Sequence, residues 1–313
     1  MIKKHLIPSE YDSLNISALE ISRTDSPKAV IMICHGICGK KERFTPLMEF
    51  LSEHGYACIA HDHRGHGESV ISPKDRGYSY GGRAKAIVSD IGTVVKWVRS
   101  RYGTIPLILV GHSMGSLAAR GYVRLDDTEI KGLIICGSPS YNPLSPVGRA
   151  LIRAACLINN GRTRADMIQK MTSDRFNRAF RNEGPQSWTC SDPEIRKEVQ
   201  NDPDCNFSLT ADYSLTILEL MKMSYSNRGW KCSNRDMPIL FLSGADDPCM
   251  RGQDNLMKSV RLMKEIGYEN VHAKIYPHMR HEVLNEIGKE EVWEDIKAFC
   301  SGQSNEIQST STY

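Results

Sequence analysis

Short, unbroken apolar runs alternate along the chain with longer stretches in which apolar residues recur every three or four positions. The runs are AVIMIC (29–34), YACIA (56–60), PLILV (106–110), GLIIC (132–136), PILFL (238–242) and VHAKIY (271–276). Runs this apolar suit strands buried on both faces, the pattern of a parallel sheet. Between them, 84–98, 116–125, 256–265 and 290–299 carry helical spacing. The alternation predicts an α/β fold, a mostly parallel central sheet with helices on both faces.

One interval breaks the rhythm. No comparable strand run occurs between 138 and 236, which is rich in Arg, Asn and Ser and in helical patterns. It reads as an inserted cap (138–236) between a first core part (1–137) and a second (237–300). The first helix of the cap sets Val147, Leu151, Ala154, Ala155 and Ile158 on one face, with Arg149 and Arg153 off it. That face is expected to pack on the cap's own core; the alternative is an amphipathic lid that touches lipid. The tail SGQSNEIQSTSTY (301–313) is polar and aperiodic and is expected to be disordered.

Composition removes several classes of function. With 40 Lys and Arg against 37 Asp and Glu, a net charge of +3, the chain has no nucleic-acid footprint. No apolar run approaches the length of a membrane span, and the N-terminal MIKKHLIPSEYDSL lacks the apolar stretch of a secretory signal, so a soluble, cytoplasmic protein is expected. The ten cysteines are scattered singly, and Cys34, Cys58 and Cys136 fall inside strand runs, where a reduced thiol packs as a small hydrophobe. No phosphate loop or dinucleotide fingerprint is present, so no cofactor is expected. Charge matters locally: from 149 to 181, Arg149, Arg153, Arg162, Arg164, Lys170, Arg175, Arg178 and Arg181 face only Asp166 and Asp174. Such an excess on a cap would favour transient contact with an anionic membrane surface.

The chemistry concentrates at strand ends. GHSMG, from Gly111 to Gly115, directly follows PLILV and directly precedes a helical pattern. A serine on so sharp a strand-to-helix turn needs small neighbours, here Gly111 and Gly115 around His112 and Met114. The turn exposes the Ser113 hydroxyl and sets it at a helix N-terminus, which favours developing negative charge. HGIC, from His35 to Cys38, follows AVIMIC, where this kind of fold draws the rest of its oxyanion hole, giving the backbone N–H groups of Ile37 and Met114 as donors. Ser113 then requires an imidazole to take its proton and a carboxylate to orient that imidazole. SGADDP offers Asp246 or Asp247, and PHMRHE offers His278 or His281, each pair in a loop just after a strand.

A rival chemistry lies in HDHRGHGES, where His61, His63 and His66 have the H-x-H-x-x-H spacing of two-metal hydrolases. Gly65 stands where such sites place a carboxylate, and no further ligand cluster follows, so no metal is expected.

Taken in order, HGICGKKERF, DHRGHGES, GHSMG, SGADDP and RHEVLNE resemble the monoacylglycerol lipase and lysophospholipase branch of the α/β-hydrolases, over 35–286. The resemblance implies the α/β-hydrolase fold with its helical cap inserted after the sixth strand. In such relatives the acid stands in a G-x-x-D pattern, which selects Asp247, and the base is the histidine of R-H-E, which selects His281. Asp62, Arg64 and the neighbouring glycines would then build a tight loop beneath the site. Two positions depart from the pattern: Cys38, where relatives carry a small or acidic residue nearby, and His278, where they carry glycine. The implied activity is cleavage of carboxylic esters of apolar acyl chains, a small ester or lipid being the partner. A short-chain or aromatic carboxylesterase, a prolyl aminopeptidase-like enzyme and a non-catalytic binding relative are the alternatives.

Overall fold

An N-terminal hairpin that the hydrophobic pattern does not announce opens the structure, a computed structural model describing residues 2–141 and 146–302. Strands β1 (Ile2–Pro8) and β2 (Asn15–Ile21) pair antiparallel, Ile2 opposite Ile21 and Pro8 opposite Asn15. β1 buries only Ile7 and carries Lys3 and Lys4 outward, which suits a strand at the open edge of a sheet.

The six apolar runs form β3 (Val30–Cys34), β4 (Ala57–His61), β5 (Leu107–His112), β6 (Gly132–Cys136), β7 (Ile239–Gly244) and β8 (Val271–Tyr276). The sheet order is β1-β2-β4-β3-β5-β6-β7-β8, antiparallel at β1/β2 and β2/β4 and parallel elsewhere. The helices α1 (Thr45–Glu53), α2 (Arg83–Tyr102), α3 (Met114–Leu125), α8 (Gln253–Ile266) and α9 (Lys289–Cys300) cover it. Ile87, Leu117 and Val260 of α2, α3 and α8 share one core with inward residues of the sheet, and Leu51 and Ile296 of α1 and α9 share a second on the other face. The sheet is mostly parallel and covered on both faces, the arrangement expected of an α/β hydrolase.

Between β6 and β7 lie α4 (Pro146–Leu157), α5 (Asp166–Phe176), α6 (Pro193–Asn201) and α7 (Ala211–Tyr225). The last of these packs on α2 and α3 and contributes Tyr213 and Leu220 to the main core. The first corrects the sequence reading. Much of the stripe expected to pack inward faces solvent: Leu151 and Ile158 are each 62% exposed and Ala154 is exposed, while Ala155 is half-buried and Val147's side chain lies outside the described residues. The buried residue is Ile152, flanked by half-buried Arg149, Ala155 and Cys156. Docking on α7 therefore uses the 149/152/156 ridge, turned about 100° from the more apolar one, because adjacent positions on a helix differ by that angle.

Residues 303–313, most of the polar tail, also lie outside the described residues. Among the described residues no helix is long and apolar enough to cross a membrane.

Candidate active site

The turn after β5 brings Ser113 to φ 53°, ψ −121°, a conformation that costs a side-chain-bearing residue roughly 1–3 kcal/mol. Its surroundings hold it there. The Ser113 N–H donates to the Cys136 carbonyl at 2.9 Å, and the Ser116 hydroxyl donates to the Ser113 carbonyl at 2.6 Å. The start of α3 presses so close to β3 that a Cβ on Gly115 would lie 2.1 Å from the Cys34 carbonyl oxygen. A Cβ on Gly111 would meet Gly115 O at 2.6 Å. Both glycines are thus required by close approach.

Loops after β7 and β8 converge on the same point. His281 Nε2 stands 2.8 Å from Ser113 Oγ, and His281 Nδ1 stands 3.0 Å from Asp247 Oδ2. The other Asp247 oxygen accepts the Cys249 N–H at 2.8 Å, so the carboxylate is held at both ends. All three side chains are buried. Asp246 and His278 point outward and join nothing at this centre. His278 has φ 63°, the left-handed region that favours glycine, so it occupies a backbone position suited to the glycine that the resemblance implies there.

Burial opposes a charge on His281, but the adjacent Asp247 carboxylate outweighs it and raises the imidazole's pKa above the ordinary 6.5. For His112, beside Ser113, burial outweighs the nearby Glu282 charge and lowers the pKa to about 4, so the ring stays neutral at pH 7. It packs against Phe44 and His281.

The loop after β3 closes on Ser113 from the other side, where a Cβ on Gly36 would lie 2.9 Å from that of Ser113. The tautomer of His35 follows from its neighbours. The His63 N–H donates to His35 Nε2 at 2.9 Å, so Nδ1 carries the proton and donates to Gly36 O at 2.6 Å. Across a trans peptide the carbonyl and the following N–H point in opposite directions. Fixing Gly36 O therefore turns the Ile37 N–H away from His35, while Met114 begins α3 with its N–H unclaimed by the helix.

Ser113 opens not to bulk water, as a bare turn would, but to a cavity of about 330 Å³ beneath the cap, itself only 6% exposed. Leu117, Ile152, Ile168, Leu209, Ile217 and Met221 give the cavity an apolar wall. Its polar end holds Arg43 and Glu282, joined by two hydrogen bonds, one of them 2.8 Å. Burial disfavours the Glu282 charge, yet Arg43 holds its pKa down to about 2.

The motif around His281 also ties the cap down. Arg280 bonds both Glu183 oxygens and the Ser187 carbonyl, and Glu286 accepts from the Ser191 N–H. Trp188, on the tethered segment, lies with its ring 5.2 Å from that of His281.

Residues 25–288 match the hydrolase family described as serine aminopeptidase, S33. The chain belongs to this family. Among its relatives, a monoacylglycerol lipase from Mycolicibacterium smegmatis is 24% identical over 281 residues, 87% of this chain and 88% of the relative. Of solved structures, a lipase in its open form superposes with a TM-score of 0.84 at 21% identity, covering 97% of this chain and 100% of the other. A thermostable carboxyl esterase from Bacillus coagulans, solved with glycerol, gives 0.82 at 24% identity over 96% and 98% of the two chains. The structural likenesses show the shared α/β-hydrolase fold.

Several residues that shape the site of this S33 hydrolase were not singled out from sequence. Arg43 and Glu282 lie inside the KKERF and RHE motifs, so the signal was present but their pairing was not, since 239 positions separate them. Ile152, Ile168 and Trp188 carried no signal beyond apolarity. Cys249, whose sulfur lies within 4.8 Å of ligand atoms of Asp247 and His281, is two residues past the acid and has no motif of its own. The three histidines of HDHRGHGES do not assemble as the H-x-H-x-x-H spacing suggests: His66 turns away, its Nε2 accepting the Cys38 N–H at 3.1 Å. Asp62 binds Lys41, and Arg64 binds Asp90 and Asp12, bracing the loop beneath the site.

Proposed function

We propose that this S33 hydrolase cleaves carboxylic esters of apolar acyl chains, of the monoacylglycerol or lysophospholipid type. Ser113 attacks the ester carbonyl while His281 Nε2 takes its proton, and Asp247 orients the imidazole and stabilises its charged form. The N–H groups of Ile37 and Met114 receive the oxyanion. His281 returns the proton to the leaving alcohol, and water then hydrolyses the acyl-enzyme by the reverse sequence.

The observation that carries this reading is the hydrogen-bonded line Ser113–His281–Asp247 at the mouth of an apolar-walled cavity. At about 330 Å³ the cavity is near the lower end of ligand pockets, roughly 300–1,000 Å³, room for one acyl chain rather than three. The monoacylglycerol lipase relative supports the same substrate class. In the test, glycerol and lysophospholipid esters of graded acyl length are compared with an aromatic ester and a prolyl anilide. A maximum in kcat/KM at medium or long acyl chains is expected. A maximum at acetate or the aromatic ester would make the protein a short-chain esterase, and preference for the anilide would make it a peptidase.

The cap is also proposed to meet the membrane that holds such substrates. Leu157 at the end of α4 is 87% exposed, and Leu151 on α4, Ile158 just after it, and Met167 and Met171 on α5 are exposed too. The same helices send Ile152 and Ile168 into the cavity. Part of the basic excess expected here is spent on structure: Arg162 binds Asp75, Arg164 binds backbone carbonyls, and Lys170 pairs with Asp174. Arg153, Arg175, Arg178 and Arg181 are exposed and have no ion-pair partner among the described residues, which suits an anionic surface. Replacing Leu157 and Ile158 with serine together should cut activity on anionic vesicles about tenfold or more, since burying each such side chain is worth about 1.5–3 kcal/mol. Hydrolysis of a small soluble ester should be unchanged. Equal loss on both substrates would assign the two residues to the fold of the cap.

A further inference from the structure

The histidines left unused by this chemistry lie in an arrangement that their spacing conceals. β3 and β4 run parallel with Cys34 directly beside His61, so the two side chains leave the sheet on the same face. His63 follows two positions later. One ligand atom each of Cys34, His61 and His63 lies within 4.8 Å of the others. All three residues are fully buried, and among the described residues no well-formed hydrogen bond reaches any of the four ring nitrogens of His61 and His63. The rings meet edge to face, with centroids 4.9 Å apart.

Buried nitrogens without partners call for an unseen ligand, and two imidazoles beside a thiol are a donor set for a soft or borderline metal ion. We propose that Cys34, His61 and His63 bind a thiophilic d10 cation, clamping the ends of β3 and β4 to the following loop. Charge separates the two common candidates. Loss of the Cys34 thiol proton leaves one negative sulfur, and Cu(I) with two neutral imidazoles makes a neutral complex. Zn(II) would leave a buried net charge of +1, and it prefers four ligands where the cluster supplies three. Cu(I) is therefore the favoured occupant. Ligation satisfies one nitrogen on each ring. The site takes no part in ester cleavage, and it is distinct from a two-metal hydrolase site because it excludes His66.

The full chain, unfolded and refolded with Cu(I) buffered by bathocuproine or with Zn(II), would be desalted through EDTA and its metal content measured. Labelling of Ser113 by a fluorophosphonate would report folding. One equivalent of copper per chain is expected, with X-ray absorption showing one sulfur and two nitrogen neighbours. Cys34→Ala and His61→Phe should each lose it, whereas Cys58→Ala, a buried strand cysteine on the other face of the sheet, should keep it. If Cys34→Ala fails to label, His61→Phe, which retains a flat ring, carries the comparison. One equivalent of zinc in preference to copper, lost in the same variants, would uphold the site and overturn the charge argument. Labelled wild-type protein free of both metals, or metal retained by either variant, would overturn the proposal and assign the space to ordered water.

Discussion

Ser113→Ala is expected to lower turnover by roughly 10⁴-fold or more while the protein remains folded, because no other hydroxyl stands within reach of His281 Nε2 among the described residues. Stability should not fall. The serine holds a strained backbone, and among the described residues its side chain bonds only His281, so removing the hydroxyl leaves the bonds from Ser113 N–H and from Ser116 in place. Steady-state hydrolysis of a soluble ester and a thermal melt, run on the same preparation, make the check. Retention of near-normal turnover would remove Ser113 from the reaction. A large drop in melting temperature would mean that lost activity reports lost fold. Fluorophosphonate labelling of wild type and its absence in Ser113→Ala would add the covalent half of the argument.

The sequence was most legible where chemistry sits at the end of a buried strand. GHSMG, SGADDP and PHMRHE each follow an apolar run, and parallel strands deliver their C-terminal ends to one edge of the sheet. The three loops could therefore be expected to meet, and Ser113, Asp247 and His281 do lie within hydrogen-bonding distance of one another in a line. Choosing between Asp246 and Asp247, or His278 and His281, needed the family resemblance, because adjacent loop residues differ only in the direction they face. What stayed hidden had physical reasons. β1 carries too few apolar residues to show as a strand, since an edge strand buries little. The docking face of α4 was misplaced because the helix leaves its richer apolar ridge outside, a choice set by what covers it and not by its own periodicity. Cys34 could not be joined to His61 and His63 because strand register, not sequence spacing, brings them together.

Asp247→Asn is expected to reduce kcat by about 10³–10⁴-fold and to move the acid limb of the pH profile, and the direction of that movement identifies its role. His281 must be neutral to accept the Ser113 proton, so kcat/KM rises with pH as the imidazole loses its proton. In the native protein Asp247 raises that pKa against the effect of burial, which sets the limb above pH 6.5. Below the limb the imidazole is charged and the enzyme idle; above it the base is available. Removing the carboxylate takes away the main influence that opposes burial, so the limb in Asp247→Asn should shift toward lower pH even as its plateau collapses. The collapse has its own cause. An asparagine amide can donate to His281 Nδ1, which would leave the proton on Nε2, the nitrogen that must accept from Ser113. Asp246→Asn should leave both plateau and limb in place, since that side chain is exposed and outside the line. A limb that stays fixed in Asp247→Asn, or an equal loss from both substitutions, would show that Asp247 is not the group that sets the proton affinity of His281.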